Sequence, residues 1–491
     1  MNTHKDISIV LATVNARYTH TAFGLRWIYA NMGPLQAVTR VQEFVLGQPP
    51  LEIVEAILAA NPHIVGLGVY IWNIGVLTQV AEVLKALRPD IILVVGGPEI
   101  SYEYEKERLF HVADYLVQGE GEQVFPAMAH RLLNGETLRG KVVTSEPLDV
   151  NALAFPYDTY GEEDLAQRII YVESSRGCPF RCAFCLSSRD SQVREFDIER
   201  LFPAFDRLLE RGARRFTFVD RTFNLFPARS ECILRFFRER WREGMQLHLE
   251  ILPDRLTEST IEVLSGFPPG GLYLEAGIQT TTPAALEAIE RYQDVNKGLE
   301  NLRAVRERTC AEVHVDLVAG LPYETLETFL CALDNVLALQ PAVIQLGILK
   351  RLKGTAITKY GESGAIVFAP YPPYEVLETT WISFEEMQRL KRLARYLEIF
   401  YNSHYFPASL KLLERAGNSP AKAYVSFADF LWSAARRTHE LSLASRAGYL
   451  YQFLVAHRVD APEVLAQTIQ EDYHRRPGRK ERLPLPESQA S

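Results

Sequence analysis

Cys178, Cys182 and Cys185 lie in the segment Glu173-Ser-Ser-Arg-Gly-Cys-Pro-Phe-Arg-Cys-Ala-Phe-Cys185, spaced Cys-x3-Cys-x2-Cys, which puts three potential thiolates on one short loop. Three thiolates suit a cubane 4Fe–4S cluster in which one iron keeps a position free of protein ligand. An open position is where a substrate or cofactor can coordinate. The same cysteines could belong to a structural zinc site, but zinc takes a fourth ligand to close its tetrahedron. The remaining cysteines, Cys232, Cys310 and Cys331, are single, distant and set in apolar or helical stretches. The spacing therefore favours iron–sulfur chemistry, with a zinc-bearing binding protein as the alternative from another class.

Such a loop has to be held by regular elements, and the chain supplies two series of them. Residues 1–150 alternate strand-length apolar runs with helical patterns: Ile7–Ala12, a polar loop Thr13–His20, a helix over Phe23–Met32, a strand Val41–Leu46, a helix from Pro50 to Ala60, a strand Ile64–Tyr70, a helix from about Gly75 to Leu87, and a strand Ile91–Val95 running into Gly96-Gly97-Pro98. Alternation of this kind predicts a doubly wound parallel sheet. Ligands of such sheets sit beyond the carboxyl ends of the strands, where Asn15, Tyr70, Trp72, Gly96 and Gly97 fall. Glycines there let a large cofactor approach the backbone.

The second series gives six strands between residues 169 and 349. Ile169–Val172 precedes the cysteine loop. Arg215–Val219 carries Asp220-Arg-Thr-Phe-Asn224 at its end, and Leu247–Ile251 follows. Gly271–Thr280 contains Glu275-x-Gly-x-Gln279, and a helix beginning after Pro283 carries Arg291. Val313 onward leads into Gly320-Leu-Pro-Tyr-Glu324-Thr325, and Val343–Leu349 closes the series. Six βα units over residues 165–360 predict a partial (β/α)6 barrel with its functional groups at the carboxyl ends of the strands.

The cysteine spacing, with the aromatic Phe184 just before the last cysteine, resembles the signature of the radical S-adenosylmethionine (SAM) superfamily, and Gly320-Leu-Pro-Tyr-Glu324-Thr resembles that family's Gly-Leu-Pro-Gly-Glu-Thr, with Tyr323 at the fourth position. Gly68-Val-Tyr70, Gly96-Gly97-Pro98-Glu99 and Gly119-Glu120-Gly121-Glu122 resemble the cobalamin-binding domain that precedes many radical SAM barrels. The Asp-x-His-x-x-Gly motif, whose histidine ligates cobalt in the methionine-synthase type, is absent; His20 is the only histidine in the corresponding loop. The resemblance implies a 4Fe–4S cluster on Cys178, Cys182 and Cys185, and SAM near Phe184, Asp220, Glu275 and Arg291. It implies cobalamin near Asn15, Tyr70, Trp72, Gly96, Gly97, Glu99, Gly119 and Glu120, held without a histidine ligand. It also implies reductive cleavage of SAM with electrons from a flavodoxin or ferredoxin-type donor, and methyl transfer to a small-molecule or peptide substrate. A radical rearrangement, cyclisation or oxidation, with or without cobalamin, is the alternative within the superfamily. No cysteine precedes Cys178 and none follows Cys331, so neither the second cluster of methylthiotransferases nor a C-terminal auxiliary cluster is expected.

Composition sets the remaining bounds. At 491 residues the chain has room for about three domains, and 47% hydrophobic with 23% charged residues is ordinary for globular proteins. A net charge of −8 argues against a nucleic-acid surface. With no apolar run of membrane-span length and no signal-peptide core, a cytoplasmic protein is expected, which also suits a cysteine-bound cluster. After Pro370-Tyr-Pro-Pro373, read as a hinge, helical periodicity over Phe384–Tyr401 opens a helical C-terminal domain across 375–475, and residues 476–491 read as a disordered basic tail.

Overall fold

The computed structural model describes residues 8–475 together with Leu483 and Leu485. β1 (Ile9–Asn15) is buried at all seven positions, as a strand covered on both faces must be. It pairs in parallel with β2 (Thr39–Val45) on one side and β3 (Ile64–Gly68) on the other. β4 (Ile92–Gly96), β5 (Tyr115–Gln118) and β6 (Val142–Thr144) extend the sheet in the order β2-β1-β3-β4-β5-β6. The chain reverses its direction of travel between β1 and β3, and a crevice opens at such a switch point. β1 runs three residues past the expected Ala12. Asn15 ends it because its amide donates to Glu43 Oε2 (2.9 Å) on β2 and to the His20 carbonyl (3.0 Å).

The second sheet starts with β7 (Ile170–Val172) and continues with β10 (Arg215–Phe218), β11 (Gln246–Ile251), β12 (Leu272–Gln279), β13 (Glu312–Ala319) and β14 (Val343–Ile348). Its order is β14-β13-β12-β11-β10-β7 and every pairing is parallel, so it is a six-stranded partial barrel. The two-residue strands β8 (Ser175–Arg176) and β9 (Arg194–Glu195) pair antiparallel and clamp the two ends of the cysteine loop. Along β11 and β13 the side chains alternate: Leu247, Leu249, Ile251, Val313, Val315 and Leu317 are buried in the core, while His248, Glu250, His314 and Asp316 are half-buried on the opposite face. The barrel strands thus carry polar groups on the face that a fully closed barrel fills with branched apolar residues.

The proline segment is not a hinge between domains: Pro370–Pro373 joins β15 (Ile366–Phe368) to β16 (Val376–Thr379), an antiparallel pair. Helices follow from Phe384–Phe400, which opens with a capping box between Ser383 and Glu386. One continuous hydrophobic core runs from Tyr157 through the barrel helices to Leu454, Ile469 and Leu483, so the C-terminal helices extend the core of the barrel. The tail expected from residue 476 lies outside the described residues apart from Leu483 and Leu485. Leu483 is buried, with its N–H donated to Gln470 (2.8 Å).

Candidate active site at the junction of the two sheets

Two cavities meet where the carboxyl ends of both sheets face each other. The upper one, ≈ 500 Å³, is floored by Leu11, Gly66, Gly68, Gly96, Gly97 and Gly119 of the first sheet and walled by Trp27, Tyr70 and Phe125; Glu173, Arg176 and Arg221 close it from the barrel side. Gly97 has φ +113°, and a Cβ there would stand 2.5 Å from the Val69 carbonyl oxygen, so only glycine allows β4 to turn away and leave the floor open. Glu120 on the rim accepts from Arg176 (2.9 Å) and Arg194 (2.7 Å). Arg176 also reaches Glu122 (2.7 Å) and Glu173 (2.7 Å) and lies over the Trp27 ring.

The lower cavity, ≈ 180 Å³, holds Cys178, Cys182, Cys185 and Phe184 against Thr222, Glu250, Glu275, Gly277, Gln279, Arg291 and Asp316. Its loop is pinned by Cys178 N–H to the Asp190 carbonyl, Ala183 N–H to the Ile289 carbonyl and Ile357 N–H to the Ala183 carbonyl, each 2.8 Å. Burial pushes the Cys178 and Cys182 thiols up, and for Cys182 the guanidinium of Arg291, 3.5 Å from its sulfur, opposes that. Among the described residues no group of three His, Cys, Asp or Glu is placed to share one metal ion.

Adjacent barrel carboxylates are shifted in opposite directions. Glu275 accepts from His248 (2.8 Å), which holds its carboxyl low. Asp316, on the neighbouring strand, is pushed well up by burial and then by Glu275 and Glu250, and its Oδ1 is buried without a hydrogen-bond partner. Glu275 is thus an acceptor and Asp316 a neutral acid that can donate. Arg221 lines both cavities; its side chain is 53% exposed and its ion pair to Glu250 is loose at 3.7 Å.

Phe184, Glu275 and Arg291 line the cysteine pocket, and Tyr70, Gly96, Gly97, Gly119 and Glu120 line the upper cavity. Arg291 lies beyond the helix Pro283–Ala288, in the loop before Val295, which lets it turn back to Cys182. Four expected residues line neither cavity. Asp220 is fully buried beneath the cysteine loop, accepting from the Ser174 N–H (2.8 Å) and the Ser174 and Ser175 hydroxyls (2.7 Å each). Asn15 binds Glu43, Trp72 stacks on Tyr70 (4.6 Å) while donating to the Val14 carbonyl, and Glu99 is buried on Lys353 (2.7 Å). His20 also stays outside, with Nδ1 on the Tyr171 hydroxyl (2.6 Å). Tyr323 takes the left-handed conformation (φ +60°) and rests on Trp381. Sequence reading missed Arg176, Arg221, Glu250 and Asp316. The alternation of β13 could have flagged Asp316, while nothing local distinguishes the two arginines.

Residues 9–129 match the family described as B12 binding domain, residues 172–335 the Radical SAM superfamily, and residues 359–487 the family described as Protein of unknown function (DUF4080). The chain thus joins a region like B12 binding domains to a region like the radical SAM superfamily. The radical SAM match begins at the last residue of β7 and takes in the cysteine loop and β10 to β13. The chain is 26% identical over 352 residues to the 2-(S-pantetheinyl)-carbapenam-3-carboxylate methyltransferase of Streptantibioticus cattleyicolor, covering 64% of this chain and 50% of that protein. It is 25% identical over 325 residues to the cobalamin-dependent radical SAM methyltransferase TokK of Streptomyces tokunonensis, covering 59% and 46%. The chain thus spans about half the length of these curated relatives. Among solved structures, the cobalamin-dependent radical enzyme OxsB with aqua-cobalamin superposes with TM-score 0.63 at 13% identity, covering 95% of this chain and 80% of that one. TsrM from Kitasatospora setae with cobalamin and a [4Fe-4S] cluster gives 0.57 at 17%, covering 74% and 79%. At these identities the structural likeness is one of fold. No helix among the described residues is long and apolar enough to cross a membrane.

Proposed function

We propose that this protein is a methyltransferase that takes its methyl group from SAM and delivers it to a small-molecule or peptide substrate lying between the two cavities. The observation that carries this reading is the sharing of Arg221 between a pocket walled by three cysteines and an apolar, glycine-floored cavity large enough for part of a macrocycle. Cys178, Cys182 and Cys185 would hold a 4Fe–4S cluster, the adjoining polar pocket SAM, and the glycine-rimmed strand ends cobalamin. When bound, the cluster and SAM supply one-electron cleavage of a sulfonium and cobalamin supplies a methyl carrier. The chain's own residues do the rest. Glu275, ionised and fixed by His248, offers an acceptor for hydroxyl or ammonium groups, and neutral Asp316 offers a donor beside it. Arg291 places positive charge against the cysteine loop. Trp27, Phe125 and Leu11 keep the upper cavity dry, and Asp220 fixes the start of the cysteine loop through Ser174 and Ser175. Electrons would come from a flavodoxin or ferredoxin-type protein, and the thiols call for a reducing compartment such as the cytoplasm. Anaerobic incubation of the reconstituted protein with methyl-deuterated SAM and cell extract tests the reading. Deuterated methyl in an extract component, formed only when cobalamin is supplied, is expected; SAM cleavage with no cobalamin-dependent methyl transfer would contradict it.

A further inference from the structure

A groove of ≈ 900 Å³, sharing no lining residue with the two cavities above, runs along the outer edge of β14 and is walled by Lys391, Arg392, Arg395 and Trp432 of the C-terminal helices. β14 ends the barrel sheet and, among the described residues, pairs only with β13. At Ile344 the edge is already occupied. Its N–H donates to Asn402 Oδ1 (2.9 Å) and its carbonyl accepts from Asn402 Nδ2 (3.0 Å), the two bonds a neighbouring strand would make. Past Ile348, Leu349 turns to the β13 side, its N–H donating to the Ala319 carbonyl (3.0 Å) and its carbonyl accepting from Val376 N–H (2.9 Å), which leaves the outer edge open up to Ile348. Because backbone direction alternates along a strand, the outward N–H and carbonyl groups in the gap belong to Leu346 and Ile348.

The groove is also unbalanced in charge. Lys391 is paired with Glu375 and Arg395 with Glu398. Lys350 and Arg392 also line it, and among the described residues neither has an ion pair. Arg392 lies over the Trp432 ring at 5.0 Å, and its Nε is buried without a hydrogen-bond partner. A guanidinium placed over an indole and without an ion pair among the described residues is set to receive an anion.

We propose that this groove docks an extended acidic peptide, which adds a strand along Leu346–Ile348 and sets its carboxylates against Arg392 and Lys350. The open strand edge calls for a backbone partner and the unpaired cations call for acid; a nucleic acid would meet only the second demand. The proposal does not rest on the cofactor reading, because its test needs no cofactor. The full-length protein is used to pull down a synthetic hexapeptide library with Asp or Glu fixed at alternate positions, beside the same library with Lys there, and the tightest binder is measured by fluorescence anisotropy. The acidic library should be enriched and Arg392→Gln should weaken the binder about tenfold or more. N-methylation of alternate peptide bonds should abolish binding in one phase and spare it in the other. Failure to enrich over the Lys library, an unchanged affinity in Arg392→Gln, equal effects of both N-methyl phases, or displacement of the peptide by oligothymidylate would each overturn it.

Discussion

Removing Arg176 should destabilise the protein in a strongly pH-dependent way. Its guanidinium is 2.9 Å from Glu120 and 2.7 Å from each of Glu122 and Glu173, and Glu122 and Glu173 are almost fully buried (side-chain exposure 9% and 6%). Arg176→Gln leaves these carboxylates facing one another, and breaking a buried pair of this kind costs about 3–5 kcal/mol. Burial already raises the Glu173 carboxyl to about 7, with Arg176 pulling the other way. A raised carboxyl binds its proton more tightly folded than unfolded. Stability is therefore fully present below about 4.5 and is lost as pH rises to 7. Without Arg176 the folded value climbs further and the window of loss extends upward. At pH 5 Glu173 is protonated in both proteins, so the cost of the substitution should be smaller there than at pH 8 by at least ~1.4 kcal/mol, the equivalent of one pKa unit. Urea unfolding of the cofactor-free protein at both pH values, followed by intrinsic fluorescence, reads this directly. A loss below about 1 kcal/mol at pH 8, or equal losses at both, would refute the reasoning.

Three further outcomes are expected. Glu324, buried beside Thr280 and raised to about 8 by burial, should cost stability as pH rises from 4.5 to 8, so Glu324→Gln should flatten the pH dependence of unfolding and gain about 1–3 kcal/mol at pH 8; a parallel curve would count against it. Lys353→Met strands buried Glu99 and half-buried Glu107 at the contact between the two sheets and should cost about 3–5 kcal/mol, part of which Glu99→Gln should restore in the double variant, as a double-mutant cycle would read. In the Co(II) form of cobalamin-loaded protein, His20→Ala should give the wild-type electron paramagnetic resonance spectrum, since His20 is engaged with Tyr171 outside the cavity; nitrogen splitting that vanishes in the variant would contradict this.

Strand positions and the cysteine loop were legible because both are local properties: an apolar run of strand length, and a spacing that one loop can satisfy. Which strand-end residue faces the cavity was not legible. Asp220 and Arg221 are neighbours, yet Asp220 turns inward to satisfy Ser174 and Ser175 while Arg221 spans both cavities. A buried loop needs polar anchors at the same strand ends that carry ligand-binding groups, and residue type does not separate the two demands. Glu99 and Asn15 went the same way, one taken by Lys353 and the other by Glu43. Pro370–Pro373 read as a hinge because prolines mark turns and linkers alike. The long-range pairing of β15 with β16 makes it a turn.

The central claim is that Cys178, Cys182 and Cys185 hold an open cluster under a cobalamin cavity. The most direct test is anaerobic reconstitution of the wild type and of Cys182→Ala with iron, sulfide and cobalamin, followed by metal analysis and an assay for 5′-deoxyadenosine. The wild type should bind about four iron together with cobalt and should cleave SAM under reduction. Cys182→Ala should keep the cobalt and lose both the iron and the cleavage. A Cys182→Ala protein that retained its iron and released 5′-deoxyadenosine, or a wild type that took up no cobalamin, would contradict the account.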